Sequence, residues 1–221
     1  MSQTPSIARD LFLLCTNGKG RDDGERKRAV TAGALTDLLL AERIALSEDK
    51  DPRVTIVEDS PTGDVVLDHV LTGLRSRSER KPPKLSQLVD HKDVDPTEVI
   101  GEDLAAAGAV ERKDGWFGTT WPERDGRFET ALRRHLANVL EGREEPIPQD
   151  AVILGLLKAL DAAHATLKED VPDMSRKELA ARIDDITEKT PITEAVRRSY
   201  ELMQSAMYTA IFVPTIMMTT N

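Results

Sequence analysis

Apolar residues recur at helical spacing along most of this chain, and that periodicity constrains the fold more than any other feature. Val30, Leu35, Leu38 and Leu39 fall on one side of a helix expected over residues 28–42. Val66, Leu67, Val70, Leu71 and Leu74 repeat the pattern. Phe128, Ala131, Leu132, Leu136, Val139 and Leu140 line a helix over 127–140, and Val152, Ile153, Leu156, Leu157, Leu160 and Leu167 a longer one over 149–167. Aromatic residues make up only 4% of the chain, so the core is built from Leu, Val, Ile, Ala and Met, which suits helix packing better than a sandwich. Extended alternation is confined to short runs, at 44–46 and 54–57. The expected architecture is mainly α: a single-domain helical bundle over residues 1–221 with one or two small β-hairpins.

Local signals place the joints. Asp114-Gly115, between 110–113 and 116–120, is the strongest short hairpin signal, and hairpin packing is the expected role of both Trp116 and Trp121. Pro82-Pro83 breaks the chain, and short helices are expected around 85–89 and over 96–107. Ser175 and Glu178 form a capping box that opens a helix running through Ile186, and Thr190-Pro191 opens a last one. Gly33 lies inside the helix over 28–42, where it costs about 1 kcal/mol against Ala unless another backbone packs close.

Charge and cysteine content exclude several classes. A net charge of -9 argues against sequence-independent nucleic-acid binding, which needs a basic face to displace counterions. It leaves room for local basic clusters: Arg75, Arg77, Arg80, Lys81, Lys84 and Lys92 stand against only Glu79 and Asp90. Cys15, alone and within an apolar run, reads as a small buried hydrophobe. The N-terminus lacks the pattern of a signal peptide, and the apolar run over 206–218, broken by Pro214, is shorter than the roughly 20 residues a membrane span requires. A cytoplasmic protein is expected.

Catalytic constellations are missing from the sequence. His69, His91, His135 and His164 have no partner at zincin or di-metal spacing, and His135 and His164 read as histidines at the core edge. Asp184 and Asp185 project about 100° apart on a helix, as on a solvated face. The glycine-rich loop over 16–27 lacks a P-loop ending, and no cofactor is expected. The better candidate is the helix from Arg127. Arg127 and Arg134 are seven residues apart and project from nearly the same side, with Thr130 between them and Arg133 flanking. Such a row suits bidentate phosphate contact; its bland alternative is a solvated surface paired with Glu129 and Glu141.

The string Asp59-Ser60-Pro61-Thr62-Gly63-Asp64-Val65-Val66-Leu67-Asp68 reads physically as a strand-to-helix joint, with Thr62 or Asp64 as the cap. It closely resembles the Ser-Pro-Thr-Gly-Asp segment of the Golgi phosphoprotein 3 family, peripheral membrane proteins that in eukaryotes bind phosphatidylinositol 4-phosphate. Ala32-Gly33 with Leu38, Arg43-Ile44 and the helix after Arg127 extend the resemblance, which spans Leu11 to Met218 in element order.

The resemblance implies a non-catalytic protein that holds an anionic phospholipid headgroup in a basic pocket. It places Arg127 on one of the family's basic pocket residues and Thr130 on the second, with Arg134 as a substitute cation. The family's pocket Trp falls near Asp22 and its further Arg on Thr31, with Arg26, Lys27 and Arg28 one turn earlier; Arg28 is the cation we assign to this side. Capture of the cytoplasmic tails of membrane enzymes and self-association are also implied. The chain starts near the first family element, as expected of a bacterial member. Two rivals are a cytoplasmic scaffold of the same fold without lipid binding, and a winged-helix-like nucleic-acid-binding regulator. The candidate recognition helix of the latter carries Glu98, Glu102 and Asp103, which repel phosphate.

Overall fold

The computed structural model describes residues 6–22, 24–78, 81–116 and 118–190, with 197, 201 and 205. The helix expected from Pro191, the apolar run over 206–218 and Arg80 lie outside the described residues. The order of elements is α1 (Ile7–Leu14), α2 (Arg26–Leu40), β1 (Ile44–Leu46), β2 (Val54–Ile56), α3 (Val65–Ser78), α4 (Leu85–Leu88), a 3-10 turn (Lys92–Val94), α5 (Thr97–Ala106), β3 (Lys113–Gly115), β4 (Gly118–Thr120), α6 (Arg127–Leu140), α7 (Pro148–Ala159), α8 (Ala163–Leu167) and α9 (Arg176–Lys189). The fold is mainly α, and each strand pair is a short antiparallel hairpin.

The closest helix pair is α1 on α2, and two features of α2 make it so. Asp37 accepts the Ile7 and Ala8 amides, each at 3.1 Å, and the Ser6 hydroxyl at 3.0 Å, so a side chain of α2 caps α1. Gly33 supplies the other: a Cβ there would stand 2.8 Å from Ala8 Cα, so its helix cost is exchanged for close backbone contact. Both α2 and α7 are buried along most of their length; α1, α3 and α5 pack against α2, α1 and α9 against α7, and α6 lies on α1 and α9. Cys15 is buried, as its apolar neighbours imply.

The Ser-Pro-Thr-Gly-Asp joint connects β2 to α3, and Asp64 rather than Thr62 is the cap. Asp64 Oδ1 accepts the Val66 amide at 2.8 Å and the Leu67 amide at 3.2 Å. Thr62 ties the turn internally, its hydroxyl donating to Asp68 at 2.7 Å and accepting from the Asp64 amide.

Four expectations are corrected. The hairpin register pairs Gly115 with Gly118, so Asp114-Gly115 belongs to β3 and the connection falls after it. Asp114 is held in the strand by Arg112 Nε and Thr119 Oγ1, each donating at 3.0 Å. Second, Trp116 is 96% exposed at the tip, whereas Trp121 is buried edge-on to Phe12 and flat on Gly101, where a Cβ would lie 2.4 Å from its ring. Third, the single helix over 149–167 is two. Asp161 adopts φ +59, and the Ala162 amide reaches back to the Leu157 carbonyl at 2.9 Å, a left-handed closure that Asp tolerates. The apolar period continues through this break, so spacing alone hides it. Fourth, Phe128 and Ala131 are exposed; α6 buries its C-terminal half through Leu136, Ala137, Val139 and Leu140.

Candidate functional site: the exposed side of α6

α6 starts directly after Asp125-Gly126, and Asp125 organises its first turn. Its Oδ1 accepts the Arg127 amide at 3.2 Å and Arg127 Nε at 2.8 Å. The hydrogen bonds from Arg127 hold the Asp125 carboxyl down at about 2. The Arg127 side chain is nevertheless 87% exposed. Thr130 is exposed one turn on and Arg134 is exposed two turns on; Arg134 makes no ion pair among the described residues. Three of the predicted residues thus share one solvent-facing side of one helix.

Arg133 points the other way. Its guanidinium takes Glu129 at 2.6 Å, Asp170 at 3.0 Å and the carbonyls of Thr166 and Leu14 at 2.9 and 3.1 Å. It therefore ties α6 to the end of α1 and to α8, and Glu129 is committed to it. Burial pushes the Glu129 carboxyl up against the opposing pull of Arg133.

The two remaining predicted residues lie on α2. Arg28 donates through Nε to Asp90 at 2.7 Å and pairs with Glu25 at 3.4 Å, so its charge is directed toward the end of α4. Thr31 is fully buried and its Oγ1 has no hydrogen-bond partner. Asp22, near which the family resemblance places a Trp, caps the start of α2 by accepting the Gly24 and Arg26 amides at 2.7 and 3.0 Å. Of the other basic cluster, Arg75 pairs with Asp59 and Lys84 with Asp51, while Arg77, Lys81 and Lys92 are exposed.

An open cleft of about 740 Å³ separates the loop before α2 from the β3–β4 hairpin, lined by Arg21, Arg26 and Lys113 together with Trp116. Asp22 and Asp114 also line it, so its charge is mixed. Spacing offered no route to this cleft: Arg21 sits in the glycine-rich loop, which carries a charge signal but no periodic one, and Lys113 comes close only through the hairpin register. Among the described residues no group of three His, Cys or carboxylate side chains is arranged to hold a metal ion, and no helix is long and apolar enough to cross a membrane.

A family model described as Golgi phosphoprotein 3 (GPP34) matches residues 7–203, from the start of α1 past the end of α9. No curated protein matches the chain.

Proposed function

The chain belongs to the Golgi phosphoprotein 3 family, and from that premise we propose that it is a non-catalytic peripheral membrane protein that binds an anionic phospholipid headgroup with the exposed side of α6. The observation that carries this reading is the exposed row Arg127, Thr130, Arg134, in which Arg134 makes no ion pair among the described residues. Guanidinium groups offer planar donors to phosphate oxygens, and each cation near an anionic leaflet contributes roughly 1 kcal/mol. Phe128, half-exposed next to Arg127, and Trp116 at the hairpin tip supply apolar and aromatic groups for shallow insertion. Phosphatidylinositol 4-phosphate is the headgroup that the family resemblance favours. An adaptor role toward the tails of membrane enzymes and self-association belong to the same reading.

A second reading has its own support. Arg28 is committed to Asp90 and Glu25, Arg127 is paired with Asp125, and Thr31 is inside the protein. A scaffold that keeps the family fold without its lipid chemistry would tolerate all three arrangements.

Co-flotation with liposomes at physiological salt separates the readings. Vesicles carry neutral lipid alone, a generic anionic lipid, or phosphatidylinositol 4-phosphate. Binding that requires an anionic headgroup supports the membrane reading, and preference for the phosphoinositide supports the family pocket. Failure to float with any vesicle leaves the scaffold.

A further inference from the structure

One histidine on α6 has a setting that the lipid reading does not use. His135 Nδ1 lies 2.7 Å from Glu144, and its Nε2 lies 3.0 Å from both oxygens of Asp150. A carboxylate only accepts, so each ring nitrogen needs a proton to make its bond; a neutral imidazole carries one and would turn a lone pair toward the other carboxylate. The two acids sit at opposite ring nitrogens, so they bracket the ring instead of converging on one metal position.

What the ring joins is specific. Asp150 is buried in the first turn of α7, and its Oδ2 accepts the Ile147 amide at 2.9 Å, closing that helix start. Glu144 lies in the exposed connection between α6 and α7 and also accepts Asn138 Nδ2 at 2.7 Å. Arg143 donates to Asn138 Oδ1 at 3.1 Å. The connection returns to α6 through three amides: Gly142 to the Val139 carbonyl at 3.1 Å, and Arg143 and Glu144 to the Asn138 carbonyl at 2.7 and 3.3 Å.

We propose that His135 is a proton-operated clasp: as an imidazolium it fastens the α6–α7 connection to the start of α7, and when it loses its proton the connection opens.

The surroundings favour the charged ring. On α1, Asp10 accepts Gln149 Nε2 at 2.6 Å and is close enough to Asp37 of α2 and Asp150 of α7 to feel both charges. Arg9, the nearest cation of α1, is already engaged by Asp64 and Asp103. From α9, Arg182 reaches the Val139 and Leu140 carbonyls and pairs with Asp185, beyond the ring. The connection itself contributes Arg143, paired with Glu141. Burial works against the imidazolium, and the hydrogen bonds that the ring donates to Glu144 and Asp150 outweigh it, raising the His135 pKa. The clasp therefore holds below the folded-state value and releases as pH rises through it.

NMR on the full chain tests this. The Cε1 proton of His135 is followed against pH, and protection factors of the Gly142, Arg143 and Glu144 amides are measured in parallel, which removes the intrinsic pH dependence of exchange. His135 should titrate above the ordinary histidine range, with protection falling through the same midpoint. The loss should be about tenfold for each unit separating closed and open values. Glu144→Gln should lower the midpoint and carry the loss of protection with it. In His135→Gln, protection should be flat with pH. A His135 that titrates at or below the ordinary value, or amide protection indifferent to its titration, overturns the clasp. So does the same step persisting in His135→Gln.

Discussion

Arg9 and Asp64 form a two-pronged ion pair between α1 and the joint that opens α3, with Nη1 to Oδ2 at 2.8 Å and Nη2 to Oδ1 at 3.2 Å. Asp103 of α5 takes the remaining Nε at 2.7 Å. The acid of the Ser-Pro-Thr-Gly-Asp string thus works twice, as a helix cap and as one arm of a largely buried triad. The most recognisable motif of the chain is architectural: it fixes three helices relative to one another, and α1 in turn carries α2.

Removing that carboxylate should therefore damage the fold and spare the α6 surface. Asp64→Ala leaves Arg9 only half paired and uncaps α3; with Asp103 retained, the loss should be about 2–4 kcal/mol. Urea unfolding measures it. A loss below about 1 kcal/mol would mean that Asp103 alone satisfies Arg9 and that the motif's acid is not holding the joint.

The pH dependence of stability should run opposite to that of a protein dominated by ion-paired acids. Burial pushes Asp10 and Asp37 each up to about 6, against the hydrogen bonds that Gln149 gives the first and Ala8, Ile7 and Ser6 give the second. A raised folded value means that the folded state holds the proton more tightly. The contribution is complete below the unfolded value and is lost as pH rises through about 6. Lowering pH from 7 toward 5 should raise the Tm, with His135 adding in the same direction. Asp10→Asn keeps an acceptor for Gln149 without the charge. It should gain on the order of 1–2 kcal/mol at pH 7 and flatten the profile between pH 5 and 7. A Tm that falls steadily across that window rules this out.

Gly33 gives a case where two effects of opposite sign can be ranked. In an exposed helix, Gly→Ala gains about 1 kcal/mol. Here the new Cβ would meet Ala8 Cα at 2.8 Å and Ala8 N at 2.9 Å, backbone atoms that cannot rotate away. Forcing the helices apart costs typically 1–3 kcal/mol, so Gly33→Ala should be net destabilising in thermal unfolding. A stabilised variant would show that α1 can shift freely on α2.

How much of this was readable in advance follows from what periodicity encodes. The helices over 28–42 and 127–140 were legible because their apolar residues repeat at a period set by the buried face, and β1 and β2 because turn formers isolate them. The break at Asp161 was not, since Leu160 and Leu167 stay inward on both sides of it. The hairpin register escaped because Asp114-Gly115 carries a turn signal that its bonds to Arg112 and Thr119 override. Long-range charge pairing is invisible to spacing altogether. Arg133 and Arg134 are adjacent in sequence, yet one ties α6 to α1 and α8, while the other is exposed and makes no ion pair among the described residues.

That last contrast predicts the behaviour of α6 toward membranes. Arg127 is paired with Asp125, while Arg134 makes no ion pair among the described residues. With roughly 1 kcal/mol for each cation at an anionic leaflet, Arg134→Ala should weaken partitioning about fivefold. Arg127→Ala should weaken it less, because the variant removes a charge already paired with Asp125. Asp125→Asn should do the reverse: it unmasks Arg127 and should strengthen binding by about the same factor, an outcome that a nonspecific loss of fold cannot produce. Sedimentation with anionic vesicles at two salt concentrations reads all three, and the gains and losses should shrink together as salt screens the leaflet. Should Asp125→Asn leave partitioning unchanged while Arg134→Ala also has no effect, the exposed side of α6 is not the membrane face, and the scaffold reading takes its place.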